Sequence, residues 1–478
     1  MFDLAIVGSG FGGSLLAMIA RRLGRSVVLL ERGRHPRFAI GESSTPLANL
    51  LLEEMAVHYD LPRLLPLAKW GSWQGEYPEI GCGLKRGFTF YHPSTDRPLL
   101  VAASPRDEIA DTHWYRPDFD HFLVREAERM GVIYHDQVAL DRFTPDTGEI
   151  EGSGLKIRAR FVVDATGPRG FLHRVLSLPE APFENLPKTE GLYAHFRGVR
   201  HSAAPEETPP YPVDDAAVHH VFDGGWIWVL RFNNGITSAG VAAAMDLSEG
   251  KPAWKRLLAR LPRVAGLFAE AEPITPFIHH KPLAFRSARV VGERWAMLPS
   301  AAGFVDPLLS TGFPMTLLGV TRLAGILEQE SFEKLPDYGA ETTEALLAAE
   351  RLVAALYVNM ADFPLFSALS LLYFAAASYT ETARRLGRPE LAGAFLMSDH
   401  PRFGPELRAC CEAALNHPDP AALIERIHRA IEPIDVAGLG DRQRRNWYPV
   451  KAEDLLNAAG KLGATQEEIR GLLRRSGF

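Results

Sequence analysis

Short apolar runs alternate with helical patterns at the start of the chain. The run "DLAIV" (3–7) has the length and composition of a buried parallel strand. A glycine turn follows it, and then "SLLAMIARRLG" (14–24), whose apolar residues repeat at helical spacing. A second apolar run, "SVVLLE" (26–31), predicts another buried strand that ends in an acidic residue. The pattern predicts strand, turn, helix and strand in direct succession.

Three further patterns organise the rest of the chain. The stretch 115–132 predicts a turn and an amphipathic helix, and 159–178 contains another buried strand. Residues 176–284 show alternating strand patterns around a proline-rich turn region, which predicts a β-sheet domain over a substrate site. From 336 to 478, alanine and leucine recur at helical spacing and predict a helical C-terminal cap.

The glycines between the first strand and helix have the spacing G-x-G-x-x-G, through Gly8, Gly10 and Gly13, with Gly12 between them. Gly8 permits the tight turn, Gly10 lets the backbone approach a pyrophosphate, and Gly13 lets the helix pack against the strand. Free N–H groups at the helix N-terminus favour phosphate, and Glu31 is placed to accept hydrogen bonds from ribose hydroxyls. The motif indicates a dinucleotide site but does not separate FAD from NAD.

A second turn of interest lies far downstream. The segment 294–329 predicts a strand, then the turn "DPLLSTG" (306–312), then a long helix with Pro314 at its first position. The N-terminus of that helix would direct free N–H groups near residue 312 at an electron-rich group.

Composition narrows the class of protein. The chain has 478 residues, 46% of them hydrophobic and 23% charged, which is typical of a globular protein with more than one domain. The formal charge of −6 shows no basic footprint, so we expect no nucleic-acid partner. The three cysteines are too few for a disulfide framework, and Met1 leads straight into the first strand without a signal peptide. We therefore expect a cytoplasmic protein.

Two other features were considered for membrane and metal binding. The apolar stretch 363–379 is near the lower limit for a membrane span, but its proline, serines and nearby charges favour a buried or surface-lying helix, and peripheral membrane contact is the weaker alternative. The pairs His219–His220 and His279–His280 lack metal-ligand spacing, so we expect no metal site.

Several motifs together resemble a known family. The glycine turn, "RPDFD" (116–120), "DATG" (164–167) and "AAGFVDPLLSTG" (301–312) occur in the order seen in FAD-dependent aromatic hydroxylases and halogenases. The stretches "IGESSTP", "LKRGFTF" and "GGWIWVLRF" resemble segments of the flavin-dependent halogenases; they occupy 40–46, 84–90 and 224–232. The resemblance covers nearly the whole chain.

The resemblance implies a set of site residues. It assigns catalytic roles to Lys85, Trp226, Trp228, Thr311 and Gly312, with Lys69 a weaker candidate than Lys85 for the active-site lysine. The cofactor-binding residues it implies, together with those of the glycine turn, are Gly8, Gly10, Gly12, Gly13, Glu31, Glu42, Ser43, Arg116, Asp164, Gly167, Ser300, Asp306, Pro307 and Ser310.

The resemblance also implies a fold and a reaction. The fold is α/β: a Rossmann-like FAD-binding domain of the aromatic hydroxylase type (1–175 and 285–335, with an insert at about 46–100), an inserted β-sheet substrate domain (176–284) and a helical C-terminal region (336–478). Reduced FAD, supplied by a separate flavin reductase, would use O₂ and chloride or bromide to make hypohalous acid. A lysine in a separate pocket would pass the halogen to an aromatic or other electron-rich small molecule, and the tryptophans would keep that molecule from the flavin.

Three departures from the halogenase pattern bear on this interpretation. Leu230–Arg231 replaces the usual Ile-Pro of the signature, and Ser300 replaces an aspartate that normally binds the ribityl chain. Leu309 replaces the glutamate of tryptophan halogenases, so the likeness is nearer to the phenol and pyrrole types. Open alternatives are an FAD-dependent monooxygenase, a flavin reductase or dehydrogenase on the same fold, and a non-catalytic flavin-binding protein.

Overall fold

The computed structural model describes residues 1–416 and 419–477. The strands, in chain order, are β1 (Phe2–Val7), β2 (Val27–Leu30), β3 (Cys82–Lys85), β4 (Gly87–His92), β5 (Thr95–Ala102), β6 (Asp111–Trp114), β7 (Ile133–His135), β8 (Arg142–Thr144), β9 (Glu149–Gly152), β10 (Leu155–Asp164), β11 (Glu190–Arg197), β12 (Ala217–Phe222), β13 (Gly225–Arg231), β14 (Thr237–Ala243), β15 (Glu272–Pro273), β16 (Ile278–His280), β17 (Phe285–Arg286), β18 (Val291–Gly292), β19 (Trp295–Met297), β20 (Gly303–Phe304) and β21 (Trp447–Tyr448).

The α-helices surround these strands and dominate the C-terminal part. They are α1 (Phe11–Arg22), α2 (Pro46–His58), α3 (Trp70–Glu76), α4 (Arg116–Arg129), α5 (Phe171–Val175), α6 (Lys251–Ala259), α7 (Pro262–Leu267), α8 (Pro299–Ala302), α9 (Gly312–Gln329), α10 (Leu335–Val358), α11 (Phe363–Arg385), α12 (Phe403–Leu415), α13 (Pro420–Ile431), α14 (Ala452–Asn457) and α15 (Gln466–Ser476).

A mostly parallel sheet forms the half of the molecule that contains the glycine turn. Its strands lie in the order β18-β19-β10-β1-β2-β7, and β1 pairs in parallel with both β10 and β2. The central strands β1 and β2 consist mainly of buried apolar residues, because both faces of a parallel sheet are covered by other parts of the protein. The carboxyl ends of three strands, at Val7, Leu30 and Asp164, meet at one edge, where an open α/β sheet binds its ligand.

A larger, mostly antiparallel sheet forms the other half, in the order β15-β11-β14-β13-β12-β4-β5-β21, with β16 also paired to β11. The segment 176–284 contributes β11 to β16. The remaining strands come from elsewhere: β4 and β5 lie at 87–102, and β21 is close to the C-terminus. The sheet therefore gathers three distant stretches of chain.

The two faces of this sheet have different roles. Because side chains alternate along a strand, Ile227 and Val229 of β13 point to one face and pack with Trp254 of α6 in a separate apolar cluster. Trp226 and Trp228 point to the opposite face and join the core shared with the parallel sheet and the C-terminal helices. The functional side chains of the sheet thus face the interior of the molecule.

Helix α11 contains the apolar stretch singled out in the sequence. Within the described residues it alone is long and apolar enough to cross a membrane, yet 83% of its most apolar window is buried inside the protein. It packs against α2, α10 and α13, and Asp362 caps its first turn by accepting a hydrogen bond from Leu365 N at 3.1 Å. The helix is therefore buried in the core, which is one of the two arrangements, buried or surface-lying, that the sequence predicted.

Leu369 lies at the buried centre of α11, so we predict that Leu369→Ala lowers the free energy of unfolding by about 2–5 kcal/mol. Urea denaturation followed by circular dichroism measures this change. Val57→Ala, at an exposed position of α2, is the control and should stay within about 0.5 kcal/mol of the parent protein. Unchanged stability in Leu369→Ala, together with weaker binding to lipid vesicles, would instead indicate a surface-docking helix.

Candidate functional site

The glycine turn between β1 and α1 is shaped by close backbone approaches. Gly8 has a φ of +103°, and a Cβ there would collide with the carbonyl of Ala165. A Cβ on Gly13 would overlap the carbonyl oxygen of Gly8, and one on Gly12 would press on Thr316 of α9. No side chain caps the first turn of α1, so its N–H groups are free for an anion.

Positive charge lies beside this turn. A Cβ built on Gly10 would come within 3.3 Å of Arg116 Nη2 and 3.8 Å of Arg37 Nη2. Arg116 uses Nε and Nη2 to bind Asp120 at 2.8 and 2.7 Å, and its Nη1 donates to the carbonyl of Gly41 at 2.7 Å. Arg116 therefore fixes the start of the 40–46 segment next to the turn.

Glu31 lies at the end of β2, as predicted. Its carboxylate accepts hydrogen bonds from Ser9 N (3.1 Å), Ser9 Oγ (2.9 Å) and Gly33 N (2.8 Å), and it pairs with Arg37 at 3.1 Å. Burial opposes its ionisation, but Arg37 and the hydrogen bonds hold the pKa of Glu31 below its usual value. The Nε atom of Arg37 is buried without a partner. An ionised acceptor beside an unpartnered donor fits the ribose and phosphates of a dinucleotide.

Other predicted cofactor residues lie along the same edge of the parallel sheet. Asp164 accepts hydrogen bonds from Thr166 N at 2.9 Å and Leu172 N at 2.6 Å, and so shapes the turn after β10. Gly167 has a φ of +86° and open space where a Cβ would stand. Ser300 lies in the short helix α8, half-buried at the end of the neighbouring strand β19.

The 306–312 turn links the two sheets. Asp306, with Pro307 after it, is buried and accepts hydrogen bonds from Trp226 Nε1 (3.2 Å), Tyr357 OH (2.8 Å) and Leu308 N (2.9 Å). Burial raises the pKa of Asp306 to about 6. Its carboxylate is thus committed to protein donors and ties β13 and α10 to the turn.

The backbone of this turn takes an uncommon course before α9. Leu309 and Ser310 have φ values of +65° and +55°, in the left-handed region where non-glycine residues are rare. The helix then begins at Gly312, two residues earlier than Pro314 had indicated. Thr311 is buried and Gly312 is exposed, and no side chain caps this N-terminus. The first N–H groups of α9 are therefore available to an anion or a polar ring edge.

The two tryptophans of β13 form a wall inside the larger sheet. Their ring centroids are 5.6 Å apart, and the Trp226 ring lies 4.9 Å from that of His219 on β12. Gly240 on β14 leaves the room that Trp228 occupies, because a Cβ there would overlap the indole ring. The replacement Arg231 lies at the far end of β13, paired with Asp214 at 3.1 Å.

Lys85 is completely buried at the end of β3. Its Nζ donates to Ser43 Oγ at 2.9 Å and to the carbonyl of Ser44, and it lies 3.9 Å from the centroid of the Phe88 ring. Burial lowers the pKa of Lys85 to about 7, although Asp111 acts in the opposite direction. Burial therefore favours the neutral, nucleophilic form of this amine.

Glu42, in the same segment as Ser43, binds the larger sheet. Its Oε1 is hydrogen-bonded to His195 Nε2 at 2.7 Å, and both side chains are buried. The 40–46 segment therefore contacts the glycine turn through Arg116, the sheet through Glu42 and the lysine through Ser43 and Ser44.

An apolar cavity of roughly 210 Å³ lies beside Phe88, whose ring contacts the Lys85 amine. Phe88 lines it from the sheet, Tyr373 and Phe374 from α11, and Tyr448 from the C-terminal region. Lys69 lies on the wall of this cavity, whereas Lys85 stands behind the Phe88 ring. The two lysines that the sequence left as alternatives thus differ in position: Lys69 lines the cavity, and Lys85 does not.

Sequence reasoning missed three groups around Lys85. Asp111 is its register partner, Asn49 donates to Asp111 at 3.0 Å, and His219 stacks on Phe90 at 4.4 Å. Burial lowers the pKa of His219 to about 3, so the ring stays neutral. The β3–β6 register that brings Asp111 to Lys85 has no local sequence signal. Among residues 1–416 and 419–477, no group of three or more histidine, cysteine and acidic side chains is arranged to hold a metal.

A glycine turn on one sheet, with a second sheet that carries an aromatic wall and a buried lysine beside that second sheet, is the arrangement of a flavoprotein. The tryptophan halogenase family model matches residues 112–362, more than half of the chain, and an NAD(P)-binding Rossmann-like model matches 6–51. The chain therefore belongs to the tryptophan halogenase family, which confirms the resemblance, and it is an FAD-dependent oxidoreductase of the halogenase class.

Individual relatives agree with this assignment. The tetracycline 7-halogenase of Kitasatospora aureofaciens is 29% identical over 411 residues, which cover 79% of this chain and 73% of the relative. The monodechloroaminopyrrolnitrin halogenase PrnC of Pseudomonas fluorescens is 28% identical over 414 residues, covering 78% and 70%. The structure of halogenase PltM with phloroglucinol and FAD superposes with a TM-score of 0.84 at 23% identity, covering 93% of this chain and 99% of PltM.

We predict that Gly13→Ala weakens FAD binding roughly tenfold or more, about 1.4 kcal/mol, because the added methyl group must displace the Gly8 carbonyl. Quenching of flavin fluorescence on titration of the FAD-free protein measures the affinity. Gly325→Ala is the matched control, since that helical position has open space around its Cβ. Equal affinities for the two variants would contradict a cofactor site at this turn.

Proposed function

We propose that this protein halogenates a small, electron-rich aromatic molecule held in the cavity beside Phe88, with Lys85 as the catalytic amine. The observation that carries the proposal is the complete burial of Lys85 between the Ser43 hydroxyl, the Ser44 carbonyl and the face of the Phe88 ring. Burial lowers its pKa to about 7, so a reactive neutral amine is present at physiological pH.

The cofactor would lie along the glycine turn, with Glu31 and Arg37 at its ribose and Asp164, Gly167 and Ser300 farther along. When bound and reduced, FAD supplies, with O₂, the two-electron oxidation of chloride or bromide to hypohalous acid. We propose that a separate flavin reductase delivers the reduced cofactor and that Thr311 and Gly312 present N–H groups to the halide.

The chain's own residues would then control where the halogen goes. We propose that Trp226, which is hydrogen-bonded to Asp306 of the 306–312 turn, and the neighbouring Trp228 form a wall that keeps the aromatic substrate from the cofactor. The neutral amine of Lys85 attacks the halogen of hypohalous acid: an N–halogen bond forms, the oxygen–halogen bond breaks, and the displaced hydroxide takes an amine proton to leave as water. His219 lies between the rings of Trp226 and Phe90, and burial lowers its pKa to about 3, so the ring adds no positive charge near Lys85.

The apolar lining of the cavity supports an aromatic substrate of phenol or pyrrole size. The relatives named above act on tetracycline and on monodechloroaminopyrrolnitrin, and the PltM structure contains phloroglucinol. A phenol such as phloroglucinol is therefore the first substrate to test. We further propose a reducing, cytoplasmic location, since Cys82, Cys410 and Cys411 are all free thiols.

We predict that Lys85→Met lowers the rate of halogenation about 100-fold or more while the protein still folds, because methionine keeps the apolar contact with Phe88 and removes the amine. The assay contains FAD, a flavin reductase, NADH, O₂, bromide and phloroglucinol or monochlorodimedone, with products identified by mass spectrometry. Lys334→Met, at an exposed site, is the control and should behave as the parent protein.

Other outcomes of this assay separate the remaining interpretations. A large decrease in the halogenation rate of Lys69→Met, with no decrease in that of Lys85→Met, would identify Lys69 as the catalytic lysine instead. Hydroxylated product without brominated product would identify a monooxygenase, and no O₂ consumption in the presence of reduced FAD would identify a flavin-binding protein without turnover.

A further inference from the structure

A buried carboxylate faces Lys85 across two antiparallel strands. Asp111 at the start of β6 is the register partner of Lys85 at the end of β3. Both side chains are buried, at 7% and 0% exposure, and they form no direct ion pair. The two groups therefore interact through the protein interior, where charges are poorly screened.

A chain of hydrogen bonds connects them. Asp111 Oδ1 accepts from Asn49 Nδ2 at 3.0 Å, and Asn49 Oδ1 accepts from Ser44 Oγ at 2.6 Å. The carbonyl of Ser44 in turn accepts from Lys85 Nζ. Asp111 thus fixes the Asn49 amide, and Asn49 fixes the hydroxyl of Ser44, the residue whose backbone carbonyl holds the amine.

The second oxygen of Asp111, Oδ2, is buried without a partner. The charged and titratable groups that face Asp111 are Lys85 from β3 and Tyr373, Glu381 and Arg385 from α11. Arg385 is already bound to Glu381 at 2.7 Å. Lys85 is therefore the cation whose charge the Asp111 carboxylate is free to balance.

The groups around Lys85 itself add no competing negative charge. His113 on β6 and His219 on β12 face the amine, and burial lowers the pKa of each ring to about 3, so both are neutral. Burial also raises the pKa of Asp111 to about 7, the range in which Lys85 titrates. The two groups therefore change charge over the same pH interval.

We propose that Asp111 is a positioning residue for halogenation, which fixes the acceptor of Lys85 through Asn49 and Ser44 and sustains the positive charge of the resting amine. This inference rests on the catalytic role proposed for Lys85. Without the Asp111 charge, the buried amine would lose its proton at lower pH, since only burial and neutral neighbours would remain.

The test is Asp111→Asn, which keeps an oxygen acceptor for Asn49 and removes the charge. We expect the Lys85-dependent limb of the kcat/KM pH profile to move to lower pH by about one unit or more, the usual effect of an adjacent charge. Asp107→Asn is the matched control: it removes an exposed carboxylate that binds Arg86 at 2.6 Å, and its profile should not move. Asp111→Glu should restore the parent profile.

A second measurement does not need turnover. Protein labelled with ¹³C and ¹⁵N at lysine is titrated by NMR, and the Lys85 signal is assigned by its loss in Lys85→Arg. A lower titration midpoint for this signal in Asp111→Asn supports the proposal, and an unchanged midpoint overturns it even when the enzyme brominates substrate. A lower midpoint in a protein that never halogenates supports the coupling and overturns the proposed function instead.

If Asp111→Asn does not fold, Asn49→Ala tests the hydrogen-bonded connection while keeping the charge. We expect kcat to fall about tenfold with KM unchanged, because the amine loses its fixed acceptor but the cavity does not change. The pH limb should stay within a few tenths of a unit of the parent. Unchanged kcat in Asn49→Ala would overturn the positioning role.

Discussion

An amine that can carry charge is costly to bury, and the arrangement of this protein around Lys85 follows from that cost. The free-energy cost of removing an ammonium ion from water is offset only when hydrogen-bond acceptors and a compensating charge lie beside the ion. Here the acceptors come from the 43–44 backbone and side chain, the aromatic face from Phe88, and the negative charge from Asp111. These groups belong to separate elements, so the elements must meet at one point for the lysine to be accommodated.

The 40–46 segment is the physical connection between that point and the cofactor turn. Arg116 holds its first residues beside Gly10, and the serines at its centre hold the lysine. Glu42 binds His195 of the larger sheet in the same segment. A second connection runs from the 306–312 turn to the sheet through the hydrogen bond between Asp306 and Trp226. The two sheets are thus joined through the 40–46 segment and through the hydrogen bond between Asp306 and Trp226.

Local sequence patterns were sufficient to predict several elements of the fold and of the candidate site. The strand, glycine turn and helix at the start of the chain, and the shared face of Trp226 and Trp228, follow from spacing over a few residues. The features that local patterns could not predict depend on pairing between strands that are distant in the sequence. The β12–β4 pairing that adds 87–102 to the larger sheet, and the register between Lys85 and Asp111, join distant stretches. The left-handed backbone conformation at Leu309 also could not be predicted from the sequence, because leucine disfavours that conformation.

The larger sheet ends in β21, which pairs with β5 although more than three hundred residues separate them, and α15 beyond it contributes Leu472 to the wall of the cavity. During synthesis on the ribosome, the lysine and its aromatic neighbour emerge long before the segment that encloses the cavity. The cavity is therefore among the last parts of the fold to be completed, because its walls come from both an early and a late stretch of the chain.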